Sequence, residues 1–219
     1  MEVLVVGNTA YVDDDFCAKA FPGDHVKVVA AQEARRDESS PHASWKELLH
    51  HLEQAYEFDR VVYLSNYLTP HTDTVGEIEL LRSVFRTCAG RRVQLLYVAG
   101  PAGAEGAADA AGRTGKGIIA HAANDLCRYY AAREGVQTKI LRAPFLYTAS
   151  PSLTDPFLVP LFDACSTGSV ALQGAEDAPF PLLCAEELAV LVHRIFDSWD
   201  ASFEMLDVAD AFGHPRPMA

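Results

Sequence analysis

Positive charge is scarce in this chain. Lysine and arginine together number 18 against 30 aspartates and glutamates, a formal net charge of −12 at pH 7. That balance argues against nucleic acid or an anionic membrane surface as the main partner. Cysteine is sparse too. Cys17, Cys88, Cys127, Cys165 and Cys184 are odd in number, widely spaced and form no CxxC. Buried thiols in a reducing, cytoplasmic setting suit that pattern better than a disulfide framework or a zinc site. Long hydrophobic runs are also missing. The longest are strand-length, so no signal peptide and no direct membrane insertion is expected. No GxSxG elbow occurs, and no cysteine has an obvious histidine partner. Nucleophilic hydrolysis therefore lacks its usual machinery.

What is present is ordinary for a globular protein. The 219 residues are 49% hydrophobic and 22% charged, enough for one large domain with a proper core. The pattern alternates strands with helices. Residues 3–6 (VLVV) form a buried strand that ends in Gly7,. A short helix is expected over 13–20, stopped by FPGD, then a strand over 26–30. Residues 44–56 read as a helix capped by Ser44, with Glu47 three residues on,. A strand over 60–64, a helix over 74–88, a strand over 93–98, a helix over 117–133 and a strand over 138–143 follow. Helices near 155–164 and 185–198 and a strand over 203–208 complete the order. Such alternation predicts an α/β fold, a doubly wound and mainly parallel sheet with helices on both faces. The Ala- and Gly-rich stretch 100–117 reads as a loop, and 32–42 as a polar linker,.

Isolated motifs carry little chemistry. GRTGKG at 112–117 differs from a phosphate loop, which needs glycine at Ala110 and a hydroxyl at Gly117,. His50 and His51 are neighbours on a helix and cannot face one metal,. His121 with Asp125, and His71 with Asp73, suit a hydrogen-bonded pair and a helix-cap environment better than a metal site,. Tyr129 and Tyr130 have no lysine four residues on and read as core and surface residues of their helix.

The turn GNTAYVDDDF at 7–16 is more informative. Asp13, Asp14 and Asp15 stand where a helix N-terminus offers free N–H groups to an anion,. They can satisfy those groups themselves. A carboxylate about 5 Å from a phosphate costs roughly 3 kcal/mol at an effective dielectric of about 20, or about a hundredfold in affinity. The triplet therefore reads as a self-capped helix start with the anion position filled.

Several stretches, taken in order, resemble the extended and atypical short-chain dehydrogenase/reductases, the NAD-dependent epimerase/dehydratase-like group. They are VLVVGNTAYV, DRVVYLSN, TVGEIELLRSV, HAANDLCRYYAAREGVQTKILRAPFLY and FPLLCAEELAVLVHRIFD, and together they span nearly the whole chain. The resemblance implies a Rossmann-like fold and places the cofactor turn at Gly7, Asn8, Thr9, Ala10 and Asp13. The family's three glycines fall at Gly7, Ala10 and Asp13, so the site is expected to be vestigial,. The end of the second strand (Val29, Ala30, Ala31, Gln32) lacks the acid that meets an adenosine ribose,. Arg35 and Arg36 could meet a 2′-phosphate, but a solvated pair fits their polar linker better. The family's third strand is expected to be missing or reduced. Aligning AANDL with the family's long helix puts Lys116 at the catalytic tyrosine position and Ala120 at the catalytic lysine position. The serine position falls at Ala99, beside Gly100, and a helix-opening asparagine at Asp73. No YxxxK occurs anywhere in the chain, so no catalytic residue is expected among these four.

The resulting expectation is a single SDR-type domain over residues 1–219 with a reduced substrate part at 151–219, read as the front of a longer protein. Its role would be a non-catalytic binding, scaffolding or regulatory module, within a larger assembly such as polysaccharide biosynthesis. No cofactor is expected. The alternative is an NAD- or NADP-dependent oxidoreductase or nucleotide-sugar epimerase with an atypical active site. Helices 74–88 and 117–133 are expected to make a homodimer or contact further domains, because Ile118, Ala122, Leu126, Tyr129 and Tyr130 spread over more than one face,.

Overall fold

The apolar run after Met1 forms β1 (Glu2–Gly7), and every residue from Val3 to Gly7 is buried. A strand buried on both sides needs helices on both faces, and the chain supplies them. In order come α1 (Asp14–Ala20), β2 (His25–Ala30), β3 (Arg60–Leu64), α2 (Thr74–Cys88) and β4 (Gln94–Ala99). Then follow α3 (Gly115–Arg133), β5 (Gln137–Arg142), β6 (Phe145–Tyr147), β7 (Leu182–Cys184), α4 (Ala185–Asp197) and β8 (Phe203–Asp207). The computed structural model describes residues 1–7, 11–30, 57–65, 74–100, 115–147 and 182–208.

Six strands form one sheet in the order β2-β1-β3-β4-β5-β8, all parallel. The fold is Rossmann-like, as the alternation predicts. Register sorts the side chains onto two faces. Leu4, Val6, Val61, Tyr63, Leu95, Tyr97 and Ile140 share one core with Leu80, Leu81, Val84 and Phe85 of α2 and with Ala123, Cys127 and Tyr130 of α3. Val3, Val5, Val62, Leu64, Leu96, Val98 and Leu141 share the other with Phe16 and Ala20 of α1 and with Leu188, Val192 and Phe196 of α4. The buried positions of α3 are spaced by four and three residues, one stripe of a helix. That helix ends at Arg133, and Gly135 beyond it has a φ of +70° that lets the Val136 N–H reach back to the Tyr130 carbonyl at 3.2 Å,.

Several expectations need adjustment. α3 starts at Gly115, two residues before the predicted 117, so Lys116 lies in its first turn. The short strands β6 and β7 pair with each other in a separate two-stranded sheet, which periodicity does not reveal at three residues each. The predicted helices at 44–56 and 155–164, and the stretch that bears on the family's third strand, lie outside the described residues. Tyr130 stacks on Phe85 at 4.7 Å, Leu126 packs partly against the core, and Tyr129 is left 54% exposed.

Candidate functional site

In an open parallel sheet, ligands bind at the carboxyl ends of the strands. β1 reaches that edge at Gly7, which is buried and has a φ of +110°. A Cβ built there would lie 2.1 Å from the Leu64 carbonyl oxygen. Only glycine permits β1 to leave the sheet so close to the end of β3. The next two strands are tied at the same edge. The Ser65 N–H donates to the Val98 carbonyl (3.1 Å), and the Ala143 N–H to the Ala99 carbonyl (3.0 Å).

The chain re-enters the described region at Tyr11 and starts α1 at Asp14. Asp13 is extended (φ −113°, ψ −176°), and its Oδ1 accepts the Phe16 N–H at 2.8 Å. This is an N-cap: the carboxylate satisfies one of the donors that a helix start leaves open. Asp14 and Asp15 occupy the first turn, and Asp15 pairs with Lys19 at 2.6 Å. The start of α1 therefore carries carboxylates in the region where a dinucleotide site would present bare N–H groups.

The four positions aligned with the family's catalytic residues are placed only in part. Ala99 ends β4 and is buried in the core under α2 and α3. Ala120 is half-buried one turn beyond Lys116 on α3. Neither alanine can donate or accept a proton. Nothing is described of the Lys116 side chain, and Asp73, Asn8, Thr9 and Ala10 lie outside the described residues. Gly7 and Asp13 frame the first turn. Among the described residues no group of three or more His, Cys, Asp or Glu side chains could hold a metal.

Two polar groupings escape sequence reasoning. Where β7 runs into α4, the Cys184 thiol is hydrogen-bonded to the Glu186 carboxylate and to Tyr147, its partner across the β6–β7 register. Burial pushes the Cys184 thiol up, and the Glu186 carboxylate pushes it further. Cys17 on α1 is likewise raised, first by burial and then by Asp14 and Asp13. Neither half-buried thiol is thus set up as a thiolate nucleophile at neutral pH. The second grouping lies under α2. Tyr63 is fully buried and its hydroxyl donates to the Glu77 carbonyl at 3.3 Å. Burial first, and then the Glu77 charge, hold that phenol well above its usual range. A phenol so placed is a structural hydrogen-bond donor. The continuous apolar run in RVVYL could have flagged Tyr63 as buried, but not its partner on the next helix.

The site is thus the carboxyl edge of a Rossmann-like sheet, with the tight β1 crossing of a dinucleotide fold and an acidic cap on the first helix. Solved structures share this architecture. A UDP-galactose 4-epimerase is 16% identical, with a TM-score of 0.64 over 95% of this chain and 77% of that one. A UDP-glucuronic acid 4-epimerase from Bacillus cereus, in complex with UDP-glucuronic acid and NAD, is 12% identical with a TM-score of 0.70, over 95% and 77% of the two chains. A dTDP-glucose 4,6-dehydratase from Streptomyces venezuelae with NAD bound is 14% identical, with a TM-score of 0.66 over 98% and 82%. At these identities the likeness establishes the fold. No protein-family model and no curated protein matches the sequence. No helix among the described residues is long and apolar enough to cross a membrane.

Proposed function

We propose that this chain is an epimerase/dehydratase-like domain without hydride chemistry, serving as a binding, scaffolding or regulatory module. The observation that carries this reading is the cap on α1. The Asp13 carboxylate holds the Phe16 N–H at 2.8 Å, at the position of the third glycine in the family it resembles. Ala120 and Lys116 at the lysine and tyrosine positions support it, since together they offer no phenol for proton transfer. The vestigial cofactor turn is then Gly7 to Asp13, and no nicotinamide cofactor is bound. Residues 1–219 act as one unit, and α2 and α3 meet a second copy or another domain through the face that bears Tyr129. The unit works inside the cytoplasm as part of a larger assembly, for which polysaccharide biosynthesis is one setting.

A second reading has specific support: a nicotinamide-dependent oxidoreductase or nucleotide-sugar epimerase with an atypical active site. The solved structures compared above favour it, because they are epimerases and a dehydratase and two of them hold NAD. The preserved crossing of Gly7 over Leu64 favours it too. Calorimetric titration with NAD⁺, NADH, NADP⁺ and NADPH separates the two. The first reading expects no binding in the micromolar range. Micromolar binding of any one of them, with turnover of a nucleotide sugar, establishes the second.

A further inference from the structure

We draw no further inference here: the strongest candidate, the Cys184 thiol held by Glu186 and Tyr147 where the β6–β7 pair meets α4, is a lone cysteine with no second group among the described residues that points to a ligand.

Discussion

The two ends of the sheet are built from different kinds of residue. At the amino edge, charges interlock with aromatic rings. Asp24 takes the Met1 amine at 2.9 Å and Arg60 at 3.5 Å. Arg60 lies 5.1 Å over Phe196, Phe196 stacks on Trp199 at 5.4 Å, and Lys139 lies 5.3 Å from Trp199 on the same side of the sheet. Lys139 pairs in turn with Glu204 at 2.6 Å and Asp200 at 3.2 Å. At the carboxyl edge the described residues include Gly7, Ser65, Ala99, Arg142, Ala143 and the carboxylates of Asp13, Asp14 and Asp15. The amino edge is assembled for stability. The carboxyl edge has the tight backbone crossing of Gly7 against Leu64. Substitutions at the first end should register mainly in folding, and at the second mainly in binding.

Gly7 should break that rule most severely. Gly7→Ala forces a β-carbon to 2.1 Å from the Leu64 oxygen at a φ of +110°. The expected cost is about 4 kcal/mol, at the top of the range for single changes, read as a fall in urea midpoint. A variant within about 1 kcal/mol of the parent would mean that the crossing yields, and that even this backbone feature is not demanded by the fold.

Lys139 sharpens the comparison from the other end. Its side chain is 4% exposed, whereas Asp200 is 82% and Glu204 38% exposed. Lys139→Ala should cost about 2 kcal/mol, below a fully buried pair because the carboxylates regain water, while Lys139→Met should be nearly neutral. Burial opposes the Lys139 charge, the two carboxylates outweigh it, and the amine is raised above its usual 10.5. A raised cation stabilises the fold fully below its unfolded value and loses that contribution as pH climbs past its folded one. Alkaline unfolding should therefore come earlier relative to neutral stability in the parent than in Lys139→Met. Identical pH profiles for the two would remove the ion pair from the account.

Asp13→Ala should cost about 1 kcal/mol, the usual worth of a helix N-cap. Its larger signature lies in binding. If the carboxylate blocks the turn, Asp13→Gly with Ala10→Gly should raise nucleotide affinity by up to about a hundredfold. Unchanged affinity in the double variant would locate the block elsewhere. Tyr129→Glu should change stability least, within about 0.5 kcal/mol, because the ring is largely in water,. Light scattering should nevertheless show dissociation if α2 and α3 meet a second copy. A parent that stays monomeric at high concentration would end the homodimer proposal and leave contact with another domain.

Much of the frame was legible from local pattern. RVVYL gives β3 with its observed ends, and TVGEIELLRSVFRTC gives α2 likewise. Tyr129 is exposed and Tyr130 buried, since neighbouring residues on a helix point about 100° apart,. The candidate site was legible only where it is local. Asp13 caps a donor three residues away, and a cap needs nothing beyond its own turn. Cys184 with Tyr147 was not, because a three-residue strand pair has too few positions to show a period and its halves are far apart in sequence,.

By itself, then, the sequence determined the alternation of strands and helices, which residues face inward along most of them, and the self-capped start of α1. Each depends on contacts within a few residues, where spacing alone decides which side chains meet. Only the tertiary structure decided why position 7 must be glycine, since the obstacle is the carbonyl of Leu64, carried there by the parallel register of β1 and β3. It alone decided that Lys139, in a strand that reads as apolar, could be buried, because its partners arrive with β8 and the turn before it. A buried charge is tolerated only when an opposite charge is brought to it, and no local pattern records which distant segment will bring one.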